Sequence, residues 1–246
     1  NNLARISTVI LVRGNHDLMS KNLNRIDVIE SLTKLINNPN VIYYNQSGFY
    51  EDDNVVWVVW NHKDKNIKNP WVDIQHPKRK DKIYIDLFHD PIDGCLDQHG
   101  KPMRGKYEPV TSFKGDFTFA GDLHYYQVFG KNKTMAYPSS LIQQNFGETP
   151  DSHGFIMWDL KNKTHDFIEV INEHTYINFD VIENTDYDKL KFESKFIRSN
   201  PEIKVKWSDL SSNVNKENEI KIRKYIKEKY GLNKIIKPEF FNSPVD

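Results

Sequence analysis

Three short polar runs, remote from one another in the chain, carry side chains of the kind that hold a hard divalent cation and move protons. They are Gly14-Asn15-His16-Asp17, His89-Asp90-Pro91 and Gly121-Asp122-Leu123-His124. An Asn amide oxygen is a hard, neutral donor, and with imidazole and carboxylate it makes a set suited to Mn²⁺ or Mg²⁺. Asn15, His89 and His124 are therefore candidate metal ligands, and Asp122 is either a further ligand or a hydrogen-bond partner that holds a ligand His. His16, beside Asn15, is the candidate proton carrier. Asp17 stands where a carboxylate could orient the His16 ring. Oxygen and nitrogen donors without thiolate are what a two-metal site uses when cations roughly 3.5 to 4 Å apart clamp a phosphate.

Any one of these runs is equally well read as a strand ending in an Asx-type turn. What speaks for chemistry is the recurrence, because each run follows a strand. Val9-Ile10-Leu11-Val12 is an apolar, β-branched run without alternation and predicts a buried strand. Ile83 to Phe88 and Asp116 to Gly121 repeat the pattern. Open α/β folds hold their ligands at the C-terminal edge of the sheet, which is where these three tips would lie.

The remaining elements frame those strands. Arg25 to Asn37 has Ile26, Ile29, Leu32, Leu35 and Ile36 at helical spacing, with Asn24 as the expected N-cap. Val41–Tyr44, Gly48–Tyr50 and Val55–Trp60 read as strands. The polar stretch 61–82 reads as a loop or short helix, its Lys78-Arg79-Lys80 cluster as a solvated face. Hairpins follow, Gln127–Gly130 with Thr134–Tyr137 and Phe155–Asp159 with Thr164–Ile171. Near Tyr176 the composition shifts. Strands at Ile177–Ile182 and Ile203–Trp207 and a helix over Lys216–Tyr230 are expected there. Within 186–237, fourteen Lys/Arg stand against eight Asp/Glu, so this appendage is basic.

Composition narrows the classes. Lys+Arg 34 balances Asp+Glu 34, so no overall field draws the chain to nucleic acid or an anionic membrane. A hydrophobic share of 38% supports a real core rather than disorder. One cysteine, Cys95, excludes an internal disulfide, argues against a zinc–thiolate centre and fits a reducing intracellular setting, cytoplasmic or nuclear. No run approaches the roughly 20 apolar residues of a membrane span. The chain opens Asn1-Asn2-Leu3 and enters a strand almost at once, which reads as a piece of a longer protein.

Gly-Asn-His-Asp, a strand ending in His89, and Gly-Asp-Leu-His together resemble the metallophosphoesterase (calcineurin-like) superfamily. Gly121-Asp-Leu-His-Tyr-Tyr-Gln-Val-Phe-Gly130, then Ala136-Tyr-Pro-Ser-Ser-Leu-Ile-Gln-Gln-Asn-Phe-Gly-Glu148 and His153-Gly-Phe, is the more specific match. It resembles the SbcD-type nucleases of DNA double-strand-break repair. The likeness spans about Val9 to Ile171 and implies an α/β fold, a four-layer αββα sandwich incomplete at its N-terminus. Residues 1–175 would form the nuclease core and 176–246 a small α+β capping domain on the DNA.

By that resemblance, Asn15 binds a cation and touches the scissile phosphate, while His89, Asp122 and His124 are ligands of two divalent ions, Mn²⁺ by preference. His16 would protonate the leaving sugar oxygen. The activity implied is a DNA nuclease, an exonuclease first with endonucleolytic action as the secondary option, acting as a homodimer with an SbcC-type ATPase and no membrane partner. The sequence departs from the family in two ways. Asp122 stands where the family carries a histidine, and no Asp-x-His or Gly-Asp motif precedes Val9. Half of a binuclear site is therefore the most these residues could build, and this stretch alone is expected to be inactive. Two rival readings remain, an esterase for small phosphate esters or nucleotides and a non-catalytic DNA-binding scaffold. Tyr125 and Tyr126 read as core before base-stacking, and Gln143-Gln144-Asn145 as structural buttress before nucleic-acid contact. His62, His76, His99, His165 and His174 read as surface residues, and His153 as a cap at a strand start.

Overall fold

The computed structural model describes residues 2–17, 27–62, 64–181 and 200–207, together with 220, 221, 224, 227, 228 and 239–240. Its strands are β1 (Val9–Val12), β2 (Val41–Tyr44), β3 (Gly48–Asp52), β4 (Val55–Trp60), β5 (Ile83–His89), β6 (Phe117–Gly121), β7 (Gln127–Phe129) and β8 (Met135–Tyr137). After them come β9 (Gly154–Asp159), β10 (Thr164–Glu169), β11 (His174–Val181), β12 (Asn200–Trp207) and β13 (Glu239–Phe240). Among the described residues the helices are α1 (Val28–Ile36) and the single turn α2 (Pro70–Asp73), and residues 220, 221, 224, 227 and 228 are helical too. The protein is α/β with mixed sheets. The helix expected over 216–230 and the expected cap Asn24 lie largely or wholly outside the described residues.

Two compact units result, one of residues 1–139 and 154–168, the other of 140–153 and 169–246. The first is organised by a six-stranded sheet of order β3-β4-β5-β6-β8-β7. Strands β4, β5, β6 and β8 run parallel, and the antiparallel edges β3 and β7 close the two sides. β5 lies at the centre because its sequence can be buried on both faces. Tyr84, Asp86 and Phe88 point one way, and Ile83, Ile85 and Leu87 the other. On the first face Tyr84 and Phe88 pack with Val56, Val58, Trp60 and Tyr137. On the second, Ile85 and Leu87 with Val59 and Phe117 receive Ile10 and Val12 of β1 and Trp158 of β9. Fully burying side chains of this size contributes about 1.5–3 kcal/mol each.

Asp86 is a carboxylate inside the first of these cores. Its Oδ1 accepts from Trp60 Nε1 at 2.8 Å and Trp71 Nε1 at 2.6 Å, and its Oδ2 accepts from Gly115 N at 2.8 Å. Desolvation outweighs those three donors and pushes its pKa up to about 6. α2, which carries Trp71, starts at Pro70 and is capped by Asn69, whose side chain accepts from Trp71 N.

β1 corrects an expectation. It does not join the six-stranded sheet. It pairs in parallel with β2 alone among the described residues, and all four of its residues are only half-buried. An apolar run is fully buried only with neighbours at both edges and cover on both faces. α1 tells the same story. Asp27, not Asn24, is its cap, accepting from Glu30 N at 2.6 Å, and Asn37 ends it in a left-handed conformation. Yet no α1 residue is buried, and Val28, Leu32 and Leu35 are exposed.

The second unit holds a parallel sheet of order β11-β12-β13. Gln143 docks on β11 as a surrogate strand, its Oε1 accepting from Tyr176 N at 2.8 Å and its Nε2 donating to Tyr176 O at 2.8 Å. Glu148 gathers the loop before it, accepting from Ser140 Oγ, Gln144 N and Asn145 Nδ2. His153 is buried against Ser140 (Oγ to Nδ1, 2.9 Å) and Thr149 O.

Candidate metal centre

The parallel strands bring their C-terminal tips to one end of the first unit. β5 and β6 are neighbours whose last pair is His89 and Gly121. β1 reaches the same end from the other layer, and Val12, His89 and Gly121 line one cavity. After Val12 the chain turns through Arg13 and Gly14 into a single 3-10 turn, Asn15–Asp17. Asp17 Oδ2 accepts from Gly14 N at 2.8 Å and so closes that turn. Gly14 has to be glycine here, since a Cβ would stand 2.7 Å from His89 Nε2. A Cβ on Gly121 would likewise stand 2.7 Å from Nδ1, at the other edge of the ring. The imidazole is wedged between two bare backbones, and this fixes where its nitrogens lie.

Three of the predicted donors meet at this point. His89 Nε2 lies 3.3 Å from Asn15 Oδ1 and 3.7 Å from Asp122 Oδ1, and Asn15 Nδ2 donates to Asp122 Oδ1 at 2.9 Å. Asn15 is 74 residues from His89 and 107 from Asp122 in sequence. Donors adjacent on an octahedral cation at about 2.1 Å are separated by about 3 Å; the 3.3 Å between Asn15 Oδ1 and His89 Nε2 is close to that, and the 3.7 Å between His89 Nε2 and Asp122 Oδ1 is longer. An amide oxygen, an imidazole and a carboxylate are donors of the type a hard divalent ion takes. Among the described residues no group of three or more His, Cys, Asp or Glu side chains gathers as a metal cluster. The third donor here is an amide.

Electrostatics and backbone agree with a ligand role. Desolvation lowers the pKa of His89, and this outweighs the Asp122 charge that raises it. The ring is thus held neutral, the form that offers a lone pair. Asp122 has φ of 90°, in the left-handed region. A non-glycine residue there costs about 1–3 kcal/mol, a strain that clusters at functional sites. His16 is exposed on the Asn15 turn, and His124 is half-buried two residues beyond Asp122.

The sequence reading missed a second tier of polar residues beside these. Arg13 follows β1, and its guanidinium donates to Asn61 Oδ1, to His62 O at 3.2 Å and to Asp27 Oδ2 at 3.5 Å. His62, expected at the surface, has a side chain only 10% exposed, with Nδ1 2.8 Å from Asp90 Oδ2. The signal was present, because β4 also ends in polar residues, Asn61-His62, directly after Trp60. His76 and His165 are likewise half-buried, stacked on Phe49 and packed against Trp158. A cavity of about 320 Å³ next to this tier is lined by Asn61, Asp90, Lys68, Lys106 and Tyr107 among others. Tyr126 packs on Phe167, ring centroids 4.2 Å apart. No described helix is long and apolar enough to cross a membrane.

No family model matches the chain. An uncharacterized protein of Acanthamoeba polyphaga mimivirus is similar to it, 35% identical over 193 residues that make up 74% of this chain. The chain spans 14% of the length of that relative.

Proposed function

We propose that this chain is part of a metallophosphoesterase of the SbcD type, a Mn²⁺-dependent DNA nuclease acting at double-strand breaks. One observation carries the reading. Asn15, His89 and Asp122, donors from three strand tips remote in sequence, have their polar atoms within 2.9–3.7 Å of one another. On this reading the six-stranded sheet is one inner layer of a four-layer αββα sandwich. The β1-β2 and β9-β10 pairs belong to the other, and α1 to an outer layer.

Asn15 Oδ1, His89 Nε2 and Asp122 Oδ1 would hold one cation, with His124 as a further ligand, and a second cation needs donors from beyond these residues. When bound, the ions supply positive charge against the phosphate as negative charge develops on it. The chain's own residues do the rest. Gly14 and Gly121 fix the His89 ring, Asp17 closes the turn that presents His16, and His16 gives its ring proton to the leaving sugar oxygen. Asn15 orients a phosphate oxygen, and Lys68, Lys106 and Tyr107 offer cationic and stacking contacts to the strand beyond it. The basic appendage, a homodimer and an SbcC-type ATPase partner complete the proposed assembly.

The test is cleavage of linear duplex DNA with Mn²⁺ by the full-length gene product, compared with its His16→Ala variant. The variant should retain Mn²⁺ binding and lose cleavage by about 10²-fold or more. Equal rates in the two, or cleavage indifferent to a chelator, would overturn the assignment. Faster turnover of p-nitrophenyl phosphate than of DNA would point to a small-ester esterase instead.

A further inference from the structure

Position 122 is where this chain parts from the family it resembles, with aspartate in place of histidine. The exchange shortens the side chain, removes an imidazole and adds a negative charge, yet Asp122 still reaches the site. Its Oδ1 accepts from Asn15 Nδ2 at 2.9 Å and lies 3.7 Å from His89 Nε2, and its side chain is 19% exposed. The other carboxylates whose charge reaches His89 are engaged elsewhere. Asp17 Oδ2 accepts from Gly14 N at 2.8 Å, and Asp90 Oδ2 lies 2.8 Å from His62 Nδ1. Among the described residues, Asp122 is therefore the carboxylate that brings an anionic oxygen to the amide and the imidazole.

We propose that Asp122 sets the cation selectivity of this site, narrowing the preference for Mn²⁺ that a histidine would give and admitting Mg²⁺. Donor type carries the first part of the argument. Imidazole suits Zn²⁺ and the later transition metals, whereas carboxylate suits Mg²⁺, Ca²⁺ and Mn²⁺. With aspartate the three donors are two oxygens and a nitrogen; with histidine they would be one oxygen and two nitrogens. Charge carries the second part. An amide and an imidazole are neutral ligands, so the carboxylate supplies the negative charge of the trio. Mg²⁺ gives up its water reluctantly and is held through one or two carboxylates, and a trio without any would leave it in solvent. Ca²⁺ takes about six to eight oxygen ligands and is poorly served by a trio that includes a ring nitrogen.

Asp122 also settles which end of the Asn15 amide faces the ion. A carboxylate only accepts hydrogen bonds. Asn15 Nδ2 therefore turns toward Asp122, and Oδ1 is left as the atom that faces His89 Nε2 at 3.3 Å. A neutral histidine has one donor and one acceptor nitrogen and would hold the amide in that sense less firmly. The same oxygen-rich arrangement that suits Mg²⁺ is thus kept in place by the residue that supplies its charge. The inference rests on the cation-binding part of the proposed function and is independent of DNA as the substrate.

The experiment follows Mn²⁺ binding to the full-length gene product by electron paramagnetic resonance, without DNA, and displaces the bound ion with Mg²⁺. Wild type, Asp122→His and Asp122→Asn are compared, so any further cation site contributes equally to all three. The quantity read is the ratio of the Mg²⁺ to the Mn²⁺ dissociation constant. Asp122→His should raise that ratio about 10-fold or more and add one nitrogen coupling to the Mn²⁺ spectrum. Asp122→Asn keeps the size and one oxygen donor without the charge, and it should raise the ratio through weaker Mg²⁺ binding. Urea unfolding reports whether each variant folds, and the asparagine variant carries the test where histidine is not tolerated. A ratio unchanged in the folded variants would overturn the selectivity role and leave the cation site standing. Mn²⁺ bound by none of the three proteins would overturn the cation-binding reading and this inference with it.

Discussion

Gly14→Ala should separate the site from the fold. The added methyl would meet His89 at 2.7 Å from Nε2, 2.9 Å from Cε1 and 3.1 Å from Cδ2, whereas ordinary contact begins at 3.4 Å. The ring must therefore shift by about 0.7 Å, the difference between 3.4 and 2.7 Å. On its Nδ1 edge the ring is accommodated by Gly121, where a Cβ would stand 2.7 Å away. A shift of that size directed away from Asn15 takes Nε2 from 3.3 Å to about 4 Å from Asn15 Oδ1 and breaks the contact. Misplacing a reacting group by 1 Å costs about 10²-fold, so a loss of about 10- to 100-fold in Mn²⁺ affinity and in DNA cleavage is expected. Stability should barely change. Gly14 is outside the left-handed region, and Ala at such a position gains about 0.4–1 kcal/mol through the unfolded chain, which offsets part of the clash. Titration of Mn²⁺ followed by electron paramagnetic resonance, together with urea unfolding, reads both quantities on one sample. Unchanged Mn²⁺ affinity would refute the wedged ring. Loss of binding together with several kcal/mol of stability would show that Gly14 serves the fold rather than the site.

Three other perturbations test separate parts of the argument. Asp122→Gly relieves the 90° φ and should stabilise the protein by about 1 kcal/mol in thermal or urea unfolding while abolishing Mn²⁺ binding; a destabilised variant would show that no strain is stored there. Asp86 titrates near 6 in the fold against 3.8 unfolded, so between these values the native state keeps a proton that the unfolded chain has lost. Its contribution is complete below about pH 3.8 and is lost as pH rises through about 6, about 3 kcal/mol in all. Asp86→Asn should remove that part of the slope of stability against pH, and an unaltered slope would refute the buried carboxyl as its source. Asp27→Ala removes the α1 cap together with one of the three partners of Arg13 and the acceptor of Tyr43 Oη at 2.6 Å. It should cost about 2–3 kcal/mol, more than the roughly 1 kcal/mol of a cap alone, as measured by urea unfolding.

Local physics made much of this protein legible from its residues. β-branched and aromatic runs bounded by Asn, Asp and Gly marked β1 to β10 to within a few residues, because strand formation and turn chemistry depend on neighbours in sequence. The candidate ligands were visible for a related reason. A polar group directly after a buried strand sits at the edge of a sheet, and Asn15, His89 and Asp122 do converge there. Only tertiary structure decided which strands pair. That β1 lies outside the six-stranded sheet, only half-buried and paired with β2 alone among the described residues, follows from partners tens of residues away, and no window along the chain reports them. The same is true of Arg13, His62 and Asp90. His62 reads as a surface residue in its own segment, and the three form a half-buried polar tier only where β1, β4 and β5 end side by side.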